Sequence, residues 1–195
     1  ARQTGRRIAR GREARLMDAG ARAEERVPLL ETARLRLRAH RPEDHADCTA
    51  LWADPAVVRY IGGRPFTAEE TWRRMLASRG SWGMLGFGYW AVEEKAGGRY
   101  VGDVGFGDFR REIEPSLVGM LEFGWVLSPA VHGRGYASEA IAAATGWADA
   151  HLPGMRAVCL INEDNATSIR VAEKAGFREW QRTTYHGEPA LVFAR

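Results

Sequence analysis

Two stretches of this sequence bring together residue types whose spacing could do chemistry. The first, His132-Gly133-Arg134-Gly135-Tyr136-Ala137, crowds two glycines and an arginine against the start of an apolar-striped segment. One glycine is enough for a turn. Two around an arginine, opening a helix, suggest a backbone shaped to hold an anion. The first turn of a helix offers several unpaired N–H groups and about half a positive charge from the helix dipole. A tight strand-to-helix turn with no ligand would read the same way. A dinucleotide-binding G-x-G-x-x-G needs glycine where Ser138 stands, and the Gly-Lys-Ser or Gly-Lys-Thr of a nucleotide-hydrolase loop is missing. The second stretch, Asn165-Ala166-Thr167-Ser168 through Gly176-Phe177, opens on a residue suited to cap a helix and closes on a glycine suited to end one.

Candidate acid–base groups are few. In Leu121-Glu122-Phe123-Gly124-Trp125, strand alternation points Glu122 away from three large apolar residues, onto a face where Gly124 leaves space. A carboxylate in mid-strand is costly unless solvated or paired, so Glu122 is either a general base or the partner of an arginine across the sheet. Asp103, on the preceding strand, is the second choice. His40, His45, His132, His151 and His186 have no metal-ligand spacing, and no metal is expected. Cys48 and Cys159 form no spaced framework and read as two buried free thiols of a cytoplasmic protein.

The elements that must position these residues follow from pattern. Leu35 to Arg38 alternates as a strand, and Pro42 opens a helix through Trp52, ended by Asp54-Pro55. Thr67-Ala68-Glu69-Glu70 is a capping box ahead of a second helix. Strands are expected at Tyr89 to Glu93, Tyr100 to Phe106 and Met120 to Leu127, the first two joined across Gly97-Gly98. Ala137, Ala140, Ile141, Ala144, Trp147 and Ala148 mark one face of a helix. Ala157 to Ile161 reads as a central strand, followed by the helix from Asn165. Arg178 to Arg182 and Ala190 to Phe193 make a last hairpin, turning at His186-Gly187. The result is an α/β domain with a mixed sheet.

Bulk properties exclude rather than select. The 195 residues, 45% hydrophobic and 27% charged, suffice for one domain with a core. No apolar run reaches the ~20 residues of a membrane helix, and no signal peptide or membrane contact is expected. In residues 1–26, eight arginines outnumber four carboxylates by four, one more than the whole chain's net charge of +3. The domain at 27–195 therefore carries −1, and the basic character belongs to an arm. Met17 could be a natural start, with residues 1–16 upstream of it. No aromatic residue is interleaved with these arginines to stack bases, so nucleic acid is not the expected partner. Oligomeric state leaves no mark in the sequence.

Taken together, the two stretches resemble the GCN5-related N-acetyltransferases (GNAT), in particular the branch of the ribosomal-protein alanine acetyltransferases. His132-x-x-Gly135-x-Ala137 matches that family's Gln/Arg-x-x-Gly-x-Gly/Ala except at its first position, and Asn165-x-x-Ser168 through Gly176-Phe177 matches its second motif. Leu30 to Arg38 resembles its opening strand, so the likeness spans about residues 28–195. The resemblance implies a mostly antiparallel mixed sheet of about six to seven strands flanked by about four helices. It implies acetyl-CoA as donor and a primary amine as acceptor, reacting directly in a ternary complex. Amides from Gly133, Arg134, Gly135, Tyr136 and Ala137, with His132 beside them, would hold the pyrophosphate. The pantetheine arm would lie along the backbone of Val126 and Leu127, and Asn165 would bond the arm or only cap its helix. Many relatives place a tyrosine where Ala172 stands, so Ser168, one turn earlier, is the candidate proton donor to the departing thiolate. The expected acceptor is a peptide N-terminal α-amine or a small-molecule amine. An aminoglycoside or polyamine acceptor, and a non-catalytic acyl-CoA-sensing module, are the alternatives. Acceptor contacts are expected between Val57 and Trp82, with Gly62-Gly63, Arg64 and Phe66 as a rim.

Overall fold

The computed structural model describes residues 27–195; the expected arm at 1–26 lies outside the described residues. Eight strands form one sheet: β1 (Leu30–Glu31), β2 (Leu35–Arg38), β3 (Tyr89–Glu94), β4 (Arg99–Gly107), β5 (Leu121–Leu127), β6 (Ala157–Asn162), β7 (Arg178–Tyr185) and β8 (Glu188–Ala194). Their spatial order is β1-β2-β3-β4-β5-β6-β8-β7. Every neighbouring pair is antiparallel except β5 with β6. The helices are α1 (His45–Ala53), α2 (Pro55–Val58), α3 (Ala68–Leu85), α4 (Tyr136–His151) and α5 (Ala166–Lys174).

The architecture is the expected one, with slightly more elements. The added strand is the two-residue β1, too short to show alternation. The added helix is the four-residue α2: Asp54 ends α1 and caps the next helix, accepting from the Ala56 amide at 2.8 Å, with Pro55 at its first position. The helix expected from Pro42 begins as a 3-10 turn over Pro42–Asp44 and becomes α-helical at His45.

Strand alternation sorts the core onto two faces. Leu35, Leu37, Trp90, Val92, Val104, Phe106 and Phe123 point to one face and pack under α4, whose Ala140, Ile141, Ala144 and Ala148 are buried. Small residues on α4 let the helix approach the sheet closely, and Trp82, Trp90 and Trp147 meet edge-on with centroids 4.7–5.6 Å apart. The opposite face carries Ala91 and Tyr100 beneath Cys48, Leu51 and Met75 of α1 and α3. Farther along that face, the loop between β4 and β5 folds Leu117 onto Val158 and Val192.

The second face is paved with glycine where β4 meets β5. Gly105 lies opposite Gly124, and a Cβ on Gly105 would stand 2.4 Å from the Tyr89 Cα and 2.5 Å from the Gly88 carbonyl. Both obstacles are backbone, so no rotamer change relieves them. Gly105→Ala should therefore destabilise the protein by about 1–3 kcal/mol, read as a lowered midpoint in urea unfolding. An unchanged midpoint would mean that the two strands can separate at no cost.

Candidate active site

The site is built around one strand that loses a neighbour. β5 pairs with β4 over six residues, from Glu122 to Leu127, but with β6 only at Leu121 and Glu122. Successive residues in a strand turn their N–H and C=O groups to opposite edges. The Leu121 amide reaches the Arg156 carbonyl on the β6 side at 2.9 Å, and the Ser128 amide reaches Val101 on the β4 side at 2.9 Å. No register shift intervenes, so odd-numbered residues face β6 and even-numbered ones face β4. Past the point where the strands part, Trp125 and Leu127 turn peptide groups toward an edge with no strand on it. Val126 does not: its carbonyl lies against Gly102, 2.1 Å from where a Cβ would sit. Of the expected backbone pair, Leu127 lies on the open edge, as Trp125 does, and Val126 faces β4.

This edge runs into the glycine-rich turn. His132, exposed at the turn, folds back so that its Nε2–H donates to the Leu127 carbonyl at 2.9 Å, pinning the end of β5. Gly133 and Gly135 have φ of 75° and 77°, the left-handed region that side chains disfavour. Gly135 is the N-cap of α4 and no side chain caps that helix. The first intrahelical bond is Glu139 N–H to Gly135 carbonyl, so the amides of Tyr136, Ala137 and Ser138 have no partner in the helix. The uncapped start of α4 thus presents donors whose chemistry fits a pyrophosphate.

The side chains of Arg134 and Tyr136 turn to Glu94 and to each other. The Arg134 guanidinium bonds the Tyr136 hydroxyl at 2.6 Å and Glu94 at 2.8 Å, while Tyr136 donates to Glu94 at 2.5 Å. The Tyr136 hydroxyl bond to Glu94, then Arg134, holds that carboxyl below the ordinary carboxylate range. Sequence reasoning missed the residue behind the turn, Arg34. Its Nη1 donates to the Arg134 carbonyl at 2.7 Å, and its Nε and backbone N–H bind Glu139 at 2.7 and 2.9 Å. Thr32 adds a 2.6 Å bond to the same carboxylate. A trans peptide points its N–H opposite to its C=O, so holding the Arg134 carbonyl turns the Gly135 amide outward. Thr32 and Arg34 lie in the stretch that carried the family likeness, but nothing local in the sequence ties them to Glu139.

On the second motif, Asn165 caps α5, its side chain accepting from the Ser168 amide at 3.1 Å. That leaves the half-buried Ser168 hydroxyl without a protein partner among the described residues. Ala172 is wholly buried in the main core.

Glu122 projects onto the glycine-paved face, buried, and meets an arginine. Arg111, from the β4–β5 loop, donates Nε to both carboxylate oxygens at 2.8 and 2.7 Å and Nη1 to the Tyr185 hydroxyl at 2.5 Å. Its guanidinium lies over the rings of Phe109 and Tyr185, 4.9 and 4.7 Å from their centroids. The space expected above Gly124 is occupied: a Cβ there would fall 2.3 Å from the Tyr89 hydroxyl. Burial first, then the Glu122 charge, pushes the Tyr89 phenol well above its ordinary value, so it stays protonated. Asp103 is buried, accepting from Tyr100 at 2.8 Å and lying 2.6 Å from His40 Nε2. Burial alone would raise Asp103, but the charge and bonds of His40 and Tyr100 outweigh it and hold it below the usual range. At the expected rim, Arg64 pairs with Glu70 at 2.5 Å, and Phe66 stacks on Trp52 at 5.2 Å.

Comparison with known proteins gives the same frame. The family model described as an acetyltransferase (GNAT) domain matches residues 34–178. The uncharacterised protein YkkB of Bacillus subtilis (strain 168) is 29% identical over 169 residues, covering 85% of this chain and 94% of its own. A Bordetella pertussis protein assigned to the GnaT acetyltransferase family superposes with a TM-score of 0.76 at 28% identity, over 86% of this chain and 99% of that one. The ribosomal-protein-S5-alanine acetyltransferase of Vibrio fischeri shares the fold, with a TM-score of 0.71 at 16% identity over 86% and 96% of the two chains.

CoA should raise the melting temperature, by about 2.7 kcal/mol of stabilisation at a hundredfold excess over Kd. Gly135→Glu should abolish that shift, because a carboxylate would stand where phosphate oxygens belong. Gly135→Asn, which tolerates the left-handed backbone without adding charge, controls for strain. A Gly135→Glu variant that melts higher with CoA, as the parent does, would remove the anion assignment.

Proposed function

On the premise that the chain belongs to the GNAT acetyltransferases, as the match over residues 34–178 shows, we propose that it acetylates the α-amine of a peptide N-terminus or of a small molecule by direct attack in a ternary complex. The chain is an acetyl-CoA-dependent acetyltransferase. The observation that carries the finer reading is the open edge of β5 together with the uncapped start of α4. When bound, acetyl-CoA supplies a thioester that an amine can attack, forming the C–N bond as the C–S bond breaks.

The residues around that edge divide the remaining tasks. The Gly135 to Ala137 amides hold the pyrophosphate, and the Trp125 and Leu127 peptide groups align the arm as an added strand would. Ser168 gives the departing sulfur its proton; that its cap bond is made by the amide and not the hydroxyl supports this role. Asn165 serves its helix with one carboxamide atom and keeps its amide nitrogen for the arm. The Glu122 carboxylate is already engaged by Arg111, an arrangement suited to an amine that needs little help. An α-amine of pKa near 8 costs ~1.4 kcal/mol to deprotonate at pH 7, whereas a lysine-like amine costs ~4.6 kcal/mol. The paired state of the carboxylates on this face also weighs against a polycationic aminoglycoside or polyamine. Mass spectrometry of peptides and small amines after incubation with acetyl-CoA tests the reading directly.

Two kinetic outcomes follow. Ser168→Ala should lower kcat and kcat/KM together by about 10²–10⁴-fold while acetyl-CoA affinity holds, the signature of a lost proton donor. A variant as fast as the parent would reassign that proton to water. For the amine, kcat/KM should rise with pH and level off near the amine's own pKa of about 8. Glu122→Gln should lower that plateau by about tenfold without moving its midpoint. A midpoint that shifts with this substitution would show that Glu122 itself titrates as the base.

A further inference from the structure

Among the described residues, the buried carboxylates on the glycine-paved side of the sheet each have a side-chain partner, whereas an arginine on the same side has no carboxylate. Glu122 is bound by Arg111, Asp103 by His40, and Glu93 by Arg38 and Arg36. Arg74, on α3, forms no ion pair among the described residues. Its guanidinium lies flat on the Trp52 ring, 3.9 Å from the centroid, and Trp52 is buried and stacked in turn on Phe66. An arginine resting on an aromatic face is held in place while its N–H fork stays available. The neighbouring Met75 packs with Ala91 and Tyr100, which fixes α3 against this face. Trp52 belongs to α1, which packs with α3 over Ala91 and Tyr100 on the glycine-paved side of the sheet, so Arg74 stands on that side too.

Tyr89 supplies the second half of the cradle. Its ring covers Gly124 in the middle of β5, beside the open edge, and the residue is only half-buried. Its hydroxyl has no hydrogen-bond partner among the described residues. The floor therefore offers a neutral hydroxyl, and the wall offers an unneutralised guanidinium. An acceptor with a bare positive charge gains nothing from this arrangement, whereas one with a negative group beside its amine does.

We propose that the acceptor is an amine bearing a carboxylate a few bonds away, with Arg74 pairing the carboxylate and the Tyr89 hydroxyl bonding the amine end. This rests on the acetyl-transfer reading above and narrows it. The carboxylate could be that of a free amino acid or of an acidic side chain near a peptide N-terminus, and the assay separates these sources.

The test measures CoA release with matched pairs: an amino acid against its own carboxamide, and short peptides with Glu against Gln at the second position. The parent enzyme should prefer the charged member of one pair by about 10–100-fold in kcat/KM, the range of a charge-assisted hydrogen bond. Preference in the first pair identifies an amino acid, and in the second an acidic peptide. Arg74→Gln should bring that preference close to unity by raising acceptor KM, with KM for acetyl-CoA unchanged, and Arg74→Lys should keep part of it. Tyr89→Phe should raise acceptor KM about tenfold for both members alike. In addition, Gly124→Ala should lower the melting temperature less in the Tyr89→Phe background, where the atom it would strike is gone. Equal turnover of charged and neutral members by the parent overturns this inference and leaves acetyl transfer standing, as does a preference that survives Arg74→Gln. Failure to acetylate any amine overturns both.

Discussion

A backbone peptide group near the interior must find a partner, and the central strand of this protein withholds one from several of its own. β5 is bonded along its whole length to β4, but β6 leaves it after two residues. Among the described residues, Trp125 and Leu127 turn peptide groups to an edge with no strand paired on it, where His132 bonds the Leu127 carbonyl. Most of the surrounding structure can be read as preserving that gap. α4 follows β5 after the eight residues 128–135, with no side chain of the described residues capping it, and so adds a second set of amides unpaired within their own element. A chain that lies along one set reaches the other.

Keeping these groups open requires rigidity elsewhere. Arg34 and Thr32 reach from the β1–β2 turn to Glu139 in the first turn of α4, tying together residues more than 100 positions apart. On the other face, Arg111 is held between two aromatic rings and Glu122, and the β4–β5 loop is anchored with it. Charged side chains here act mainly as fasteners. Buried carboxylates left unpaired would be expensive, so each one recruits a side-chain partner, and the loops that bring those partners become fixed parts of the wall. Arg74, on the same side of the sheet, has no carboxylate among the described residues.

Much of this organisation could be read from the chain, because its signals are local. The capping box at Thr67, the caps at Asn165 and Gly176, and the apolar stripe of α4 each report on a few consecutive residues, and each appears where the pattern puts it. The glycine pair at 133 and 135 is legible for the same reason: left-handed backbone needs glycine wherever it occurs. What stayed hidden is long-range. Glu122 offered two readings, and only the fold shows that a loop eleven residues away brings Arg111 to it. Gly124 looked like space and is instead the seat of Tyr89, from a strand that adjoins only through β4. Which edge of β5 stays open depends on where β6 departs, and no local pattern from Leu121 to Leu127 reports that register.

The two cysteines carry a practical consequence for anyone following the reaction. Cys48 and Cys159 are each 1% exposed, and burial drives both thiols far above the ordinary cysteine range. The thiolate is the reactive form, so the folded enzyme presents almost none of it to a thiol-specific dye. Colour developing in such an assay reports the coenzyme product alone, and a second, slower wave of colour would reveal the protein coming apart.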